Sequence, residues 1–145
     1  MKLWDNGVMK TNSVITKMDE KSIEKLIALI PQEKINIIKK PETGLLMMAA
    51  KDSFDTDFYL GEILVTEAEV EYKRLKGYAM VMGNEPERAL LAASVDAILQ
   101  ADNEDLKQKV IDFITIQARK IAESDEMEKR LIAKTKVNFE TMVKG

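Results

Sequence analysis

The chain has 145 residues, of which 46% are hydrophobic and 32% charged, with a net charge of −3. That length and balance fit one globular domain with its own core, and the sign of the charge argues against a general nucleic-acid binder. There is no cysteine and no histidine, which removes disulfides, thiolate nucleophiles, Cys-ligated metals, Ser–His–Asp triads and His-based metal sites.

The longest unbroken apolar run, Leu45–Ala50, is too short to span a bilayer. No apolar stretch follows Met1–Gly7, so a secretory signal is not supported. A cytoplasmic protein with no membrane partner is the expectation.

In chain order, residues 1–18 are weakly patterned. Asp5–Asn6–Gly7 reads as a turn, and the segment as an arm or a short helix that docks on a partner. Ser22–Ile30 reads as a helix, with Ile23, Leu26, Ile27 and Ile30 on one face and Pro31 as its stop.

The middle of the chain is strand-like. Ile35–Lys39 is a short apolar run, and Pro41 with Gly44 punctuates a turn. Leu45–Ala50 is apolar on successive residues, as in a strand covered on both faces, with Met47 and Met48 in the core. Asp52–Asp57 reads as a loop. Phe58–Thr66 follows, then Val70–Tyr72, where Val70 and Tyr72 alternate with charged residues. Leu75–Gly77 reads as a turn, and Tyr78–Met82 as the last strand, with Met80 and Met82 as core residues. Short strands with short connections predict an antiparallel sheet of about four strands.

The remainder is helical. Asn84 is the expected N-cap, with Pro86 in the first turn and Glu87 three residues on. Leu90, Leu91, Val95, Ile98 and Leu99 form a wide stripe padded by alanines. Asp102 is the expected cap of a helix over 103–121, with Leu106, Val110, Phe113, Ile114, Gln117 and Ile121 facing the core. Ile111 and Ile116 fall off that face and suggest a second, partner-facing surface. A further helix is expected from Ser124 to about Lys136. The fold class is therefore α+β: a central antiparallel sheet flanked by one N-terminal helix and two or three C-terminal helices, in one domain spanning 1–145.

Several residues are candidates for chemistry. Asp96 lies on the most apolar helix; it is either a buried carboxylate for a cation or a partner's arginine, or, on the plainer reading, an acid on the solvent edge of the stripe or one capping a neighbouring loop. Glu42 and Glu62 stand beside Gly44 and Gly61, and two carboxylates can do acid–base work or hold a metal if they meet; exposed turn acids are the plainer reading. Lys39, Lys40 and the group Lys129, Arg130, Lys134, Lys136 and Lys144 are candidate phosphate contacts; a solvated helix face is the alternative and the preferred reading for Lys129 and Arg130. Isolated glycines form no phosphate loop: neither G-x-G-x-x-G nor G-x-x-x-x-G-K-[ST] occurs. The tail Val137–Gly145, with Phe139, is too apolar for an idle terminus and reads as a docking segment.

Taken in order, several segments resemble one family. These are Lys39–Lys40–Pro41–Glu42–Thr43–Gly44–Leu45–Leu46, then Phe58–Tyr59–Leu60–Gly61–Glu62 running to Val65–Thr66, then Gly77–Tyr78, Asp96–Ala97 and the terminal Phe139–Glu140–Thr141–Met142–Val143–Lys144–Gly145. The set is similar to the PhnG family, the small G subunit of the bacterial carbon–phosphorus lyase core complex, from about residue 22 to the end. Lys40 and Lys144 stand where that family has arginine, and Asn138 and Glu140 where it has Asp and Phe.

The resemblance implies an accessory, non-catalytic subunit with no cofactor of its own. It implies partners in the H, I and J subunits and the ATP-binding L component, in a complex that replaces the adenine of ATP with a phosphonate. Glu42, Glu62 or Asp96 acting directly in that transfer is the opposing enzymatic reading. A free-standing α+β interaction module is the third.

Overall fold

A computed structural model describes the backbone of residues 7–102 and 104–144, and the side chains of residues 11–102 and 105–133. The elements are α1 (Gly7–Lys17), α2 (Glu20–Leu29), a 3-10 turn (Gln32–Lys34), β1 (Ile35–Lys51), β2 (Asp57–Tyr72), β3 (Leu75–Met82), α3 (Pro86–Gln100) and α4 (Glu104–Lys144). The class is α+β, with an antiparallel sheet in the order β1-β2-β3.

Among the described residues the sheet has three strands where about four were expected, because the five strand-like stretches join at two of their expected breaks. Ile35–Lys39 and Leu45–Ala50 are one strand with Pro41 and Gly44 inside it. The register shifts between Ile37 and Lys39 and again between Lys39 and Glu42, which takes up Pro41. Proline is tolerated there because β1 is an edge strand, and an edge residue needs no ladder N–H on its outer side. Phe58–Thr66 and Val70–Tyr72 likewise join through Glu67–Glu69. The turn expected at Leu75–Gly77 sits two residues earlier: Lys73 (φ 49°) and Arg74 (φ 67°) form it, and Leu75 already pairs with Tyr72. Two successive positive φ values are the backbone of a tight I′ hairpin. The Asp52–Thr56 connection is a loop as expected, held by Asp52 Oδ1 accepting from the amides of Phe54 (2.9 Å) and Thr56 (3.0 Å).

Among the described residues two helices precede the sheet, where one was expected. α1 buries Thr11, Val14 and Ile15 against its own core, and Met18, just past its end, is buried with them. Asp5 and Asn6 of the expected turn lie outside the described residues, and Gly7 opens α1. α2 starts at Glu20 because Asp19 caps it, accepting from Ser22 N at 3.0 Å. Arg88 of α3 binds α1 at its C-terminal end. It is nearly buried and donates to the carbonyls of Ile15 (2.6 Å) and Thr16 (3.1 Å) and to Glu20 Oε1 (3.2 Å), a favourable place for a cation.

Helix α3 covers one face of the sheet. Its small residues Ala89, Ala92, Ala93 and Ala97 are fully buried, with Val95 and Ile98. Asn84 is not its cap. Glu85 precedes Pro86, its side chain makes no capping bond, and its amide donates to Thr66 Oγ1 at 3.0 Å. The helix expected over 103–121 and the one expected from Ser124 are a single α4 of 41 residues. The expected cap at Asp102 abuts Asn103, outside the described residues. Ile111 is only 8% exposed, contrary to its expected place on a partner surface. α4 lies against α1, α2 and α3 together, so more than one stripe of it is covered. Ile116 does face water, at 52% exposure. Among the described residues no helix is long and apolar enough to cross a membrane.

The outer halves of β1 and β2 contradict the expectation of a strand covered on both faces. Beyond Gly44 and Val65 they form a two-stranded ribbon, and Leu45, Leu46, Met47 and Met48 point to alternate sides and are all exposed, Met47 at 69%. The methionines expected in the core are therefore mostly outside it: Met82 is also exposed, and only Met80 is half-buried.

The tightest contact is at Gly77. A Cβ built there would lie 2.0 Å from the Ala93 carbonyl oxygen and 2.7 Å from Ala97 N, both backbone atoms. We predict that Gly77→Ala costs about 3 kcal/mol or more, since α3 must lift off the sheet. Chemical denaturation measures it; a loss under 1 kcal/mol would mean that the helix and sheet are not closely apposed.

Candidate functional site

The sheet has two faces with different chemistry. One is packed on α3. The opposite face carries Lys39, Glu67, Glu69 and Tyr78, brought together by strand pairing of residues far apart in the chain. Lys39 forms an ion pair with Glu67, and Glu42 stands 3.9 Å from the same Nζ. Tyr78 Oη donates to the other Glu67 oxygen at 2.6 Å. The charges tune one another. Lys39, then Tyr78, holds the Glu67 carboxyl below its ordinary value, and Glu67 in turn raises Lys39. The bond to Glu67 pushes the Tyr78 phenol up to about 12. A shallow groove of about 190 Å³ runs beside this cluster, lined by Gly44, Leu46, Val65 and Met80 among others.

Asp96 sits at the edge of β3. Its Oδ2 accepts from the Tyr78 amide at 3.0 Å, an N–H on the open side of an edge strand. Gln100 Nε2 donates to Lys76 O at 2.9 Å and reaches Asp96 Oδ2 at 3.5 Å. Half-burial raises the Asp96 carboxyl, and the Tyr78 amide pulls it partly back. Thr66 is buried at the other end of the sheet. Its hydroxyl donates to Gly83 O at 2.6 Å and accepts from Glu85 N, so it ties the exit of β3 to the start of α3.

The expected site residues are dispersed. Glu42 pairs with Glu67 and Glu62 with Met47, so the two acids stand five residues apart along β2 and on opposite faces; they do not meet. Roughly 16 Å separates their levels on the ribbon at the usual rise per residue. Lys40 is exposed beside Pro41. Asp96 lies on the helix side of the sheet, away from both acids. Lys129 is exposed, and Arg130 pairs with Glu126 at 3.2 Å. The side chains of Phe139 and Lys144 lie outside the described residues, although 137–144 continue the helix of α4.

The model of the family described as "Phosphonate metabolism protein PhnG" matches residues 9–145. The chain belongs to the PhnG family. It is similar to the protein named alpha-D-ribose 1-methylphosphonate 5-triphosphate synthase subunit PhnG of Rhizobium meliloti (strain 1021), 33% identical over 125 residues that cover 81% of this chain and 76% of that one.

Family membership puts the scattered motifs in a new light. Gly77–Tyr78 and Asp96–Ala97, 19 positions apart, are the two sides of one contact: Gly77 against Ala97, and the Tyr78 amide on Asp96. Val65–Thr66 ends on the hydroxyl that holds the Gly83–Glu85 turn. Gly61 has φ 150° and faces Met48 at a bulge, because the next pair is Ala49 with Tyr59 and Leu60 is left over. Gly44 has neither a positive φ nor a neighbour within 4 Å of a built Cβ.

Variants of Glu67 and Asp96 separate the roles of the charges. Glu67 has a lowered folded pKa, so its contribution is full above its ordinary value of 4.5 and is lost as pH falls through the lower folded value. Asp96 has a raised one, so its ionisation opposes folding at neutral pH, and acid relieves that opposition. Glu67→Gln should therefore flatten the acid-side fall in stability, and Asp96→Asn should steepen it. Asp96→Ala should cost about 1–2 kcal/mol at pH 7 by leaving the Tyr78 amide unpaired. Urea denaturation at pH 3 to 7 is the measurement; identical pH profiles for both variants and the parent would refute the assignment.

Proposed function

We propose that this chain is an accessory, non-catalytic subunit of an alpha-D-ribose 1-methylphosphonate 5-triphosphate synthase. In this reading it works beside the H, I and L components, and with J, in phosphonate catabolism. The transfer it serves takes ribose triphosphate from ATP to the phosphonate and releases adenine.

Family membership and the name of the Rhizobium meliloti relative support the reaction. The observation that carries the accessory role is the bare ribbon. A two-stranded ribbon with both faces in water is marginal by itself, and this one displays Leu45, Met47, Phe58, Tyr59 and Leu60 to solvent. Such surface is the mark of a protein that works inside an assembly. The candidate carboxylates support the same reading, since Glu42, Glu62 and Asp96 converge on no common point.

The isolated chain should release no adenine from ATP and methylphosphonate, whereas the reconstituted subunit set should do so only when this chain is present. It should co-purify with the I subunit. Adenine release by the chain alone, surviving stringent purification, would overturn the accessory role; full activity of the set without the chain would overturn its membership.

A further inference from the structure

Two arms leave the body at the same end. The ribbon starts where Val65 pairs with Gly44 and Met82. Next to Met82 is a cavity of about 350 Å³, also lined by Thr16 and Lys17 at the end of α1. Lys17 in turn reaches Asp125 of α4 at 3.5 Å. Beyond Asp125, α4 continues for 19 more residues to Lys144, and Met127 and Ile132 on it are exposed.

The arms match in length. Ribbon residues 44–51 extend about 26 Å at the rise of a β-strand, and α4 residues 126–144 about 28 Å at the rise of a helix. They are opposite in charge. Between Gly44 and Val65 the ribbon has Asp52, Asp55, Asp57 and Glu62 against Lys51 alone. Residues 126–144 of α4 have Lys129, Arg130, Lys134, Lys136 and Lys144 against Glu126, Glu128 and Glu140. Both are apolar as well: the helical arm adds Val137, Phe139, Met142 and Val143 in sequence. The nine large apolar side chains exposed between Leu45 and Leu64 leave on the order of 800 Å² in water, about what one partner gives to an interface of standard size.

We propose that the protein forms a two-fold dimer by reciprocal clasping, in which the C-terminal half of α4 from each copy lies on the β1–β2 ribbon of the other. Two arms at one end, unlike each other but complementary, meet this requirement, because a two-fold axis brings arm A onto arm B twice. Ribbon-on-ribbon pairing is disfavoured by the acids at the ribbon tip, which would face their own copies. The helical arm supplies the opposite sign.

Sedimentation velocity of the full chain, run at low micromolar to tens of micromolar concentration, is the test, with circular dichroism as the check on folding. Every position changed is exposed. The parent should sediment as a dimer. Asp57→Lys with Glu62→Lys should weaken the dimer at least tenfold, and so should Lys129→Glu with Arg130→Glu. Mixing or combining the two reversals should restore it. A monomeric parent would overturn the proposal and leave the ribbon to another protein. A dimer indifferent to either reversal, or one that the combined variant fails to restore, would overturn it too. The measurement uses the chain alone, so its outcome is independent of the role in phosphonate chemistry.

Discussion

At Gly77 the backbone of β3 lies almost against the backbone of α3, and this closeness positions the elements around it. With no side chain there, the backbone of the strand can lie against Ala93 and Ala97, and the row of small residues on α3 extends that closeness along the helix. Once the helix is that near, Asp96 can accept from the Tyr78 amide, which would otherwise be an open donor on a sheet edge. The same approach lets Thr66 reach both Gly83 and Glu85 at the far end of the helix. Arg88 then locks α1 onto α3 through its carbonyls. Sheet edge, turn and N-terminal helix are thus all referred to one helix position.

That close contact explains what the body can hold and what it cannot. α3 spans 15 residues, about 22 Å, and β1 and β2 are 17 and 16 residues long, more than 50 Å. One short helix cannot cover so long a ribbon. The inner halves of the strands are buried on Val70, Tyr72 and Ala79, and the outer halves are left with apolar residues in water. Between the two regimes lie Thr66, Glu67 and Gly44, which is where the strands leave the body. The exposed apolar surface follows from a mismatch of lengths.

The class of the fold and most helices were readable in the sequence because their signals are local. Pro31 and Pro86 punctuate helices by their own chemistry, and the stripe on α3 repeats at a helical period, whereas the cap Asp19 went unread and α2 begins at Glu20 instead of the expected Ser22. The strand count was not readable. Pro41 and Gly44 look like a turn unless it is known that β1 lies at an edge, which is a fact about pairing and not about the neighbouring residues. Leu45–Ala50 looks buried because two-sided apolarity is the same whether the cover is the chain's own helix or another protein. Ile111 was misplaced because a single stripe was assumed for α4, although three helices surround it.

The candidate site was legible only in fragments. Asp96 accepts from the amide of Tyr78, a strand residue 18 positions away, and no local pattern connects the two. Glu67 went unnoticed because its partners Lys39 and Tyr78 come from two other strands. A strand register is needed to see that cluster; the alternation of Glu67, Glu69 and Glu71 shows only that one face is polar.

The Gly77–Asp96 contact anchors the body, whereas the ribbon beyond Gly44 has no internal support among the described residues. Native-state hydrogen exchange of the isolated chain, kept dilute, tests this contrast most directly. The Tyr78 amide should exchange only through global unfolding, with the slowest amides of α3, and those of residues 45–50 and 58–63 should exchange through far cheaper local opening. Tyr78 exchanging as fast as the ribbon, or a ribbon as protected as α3, would contradict the account.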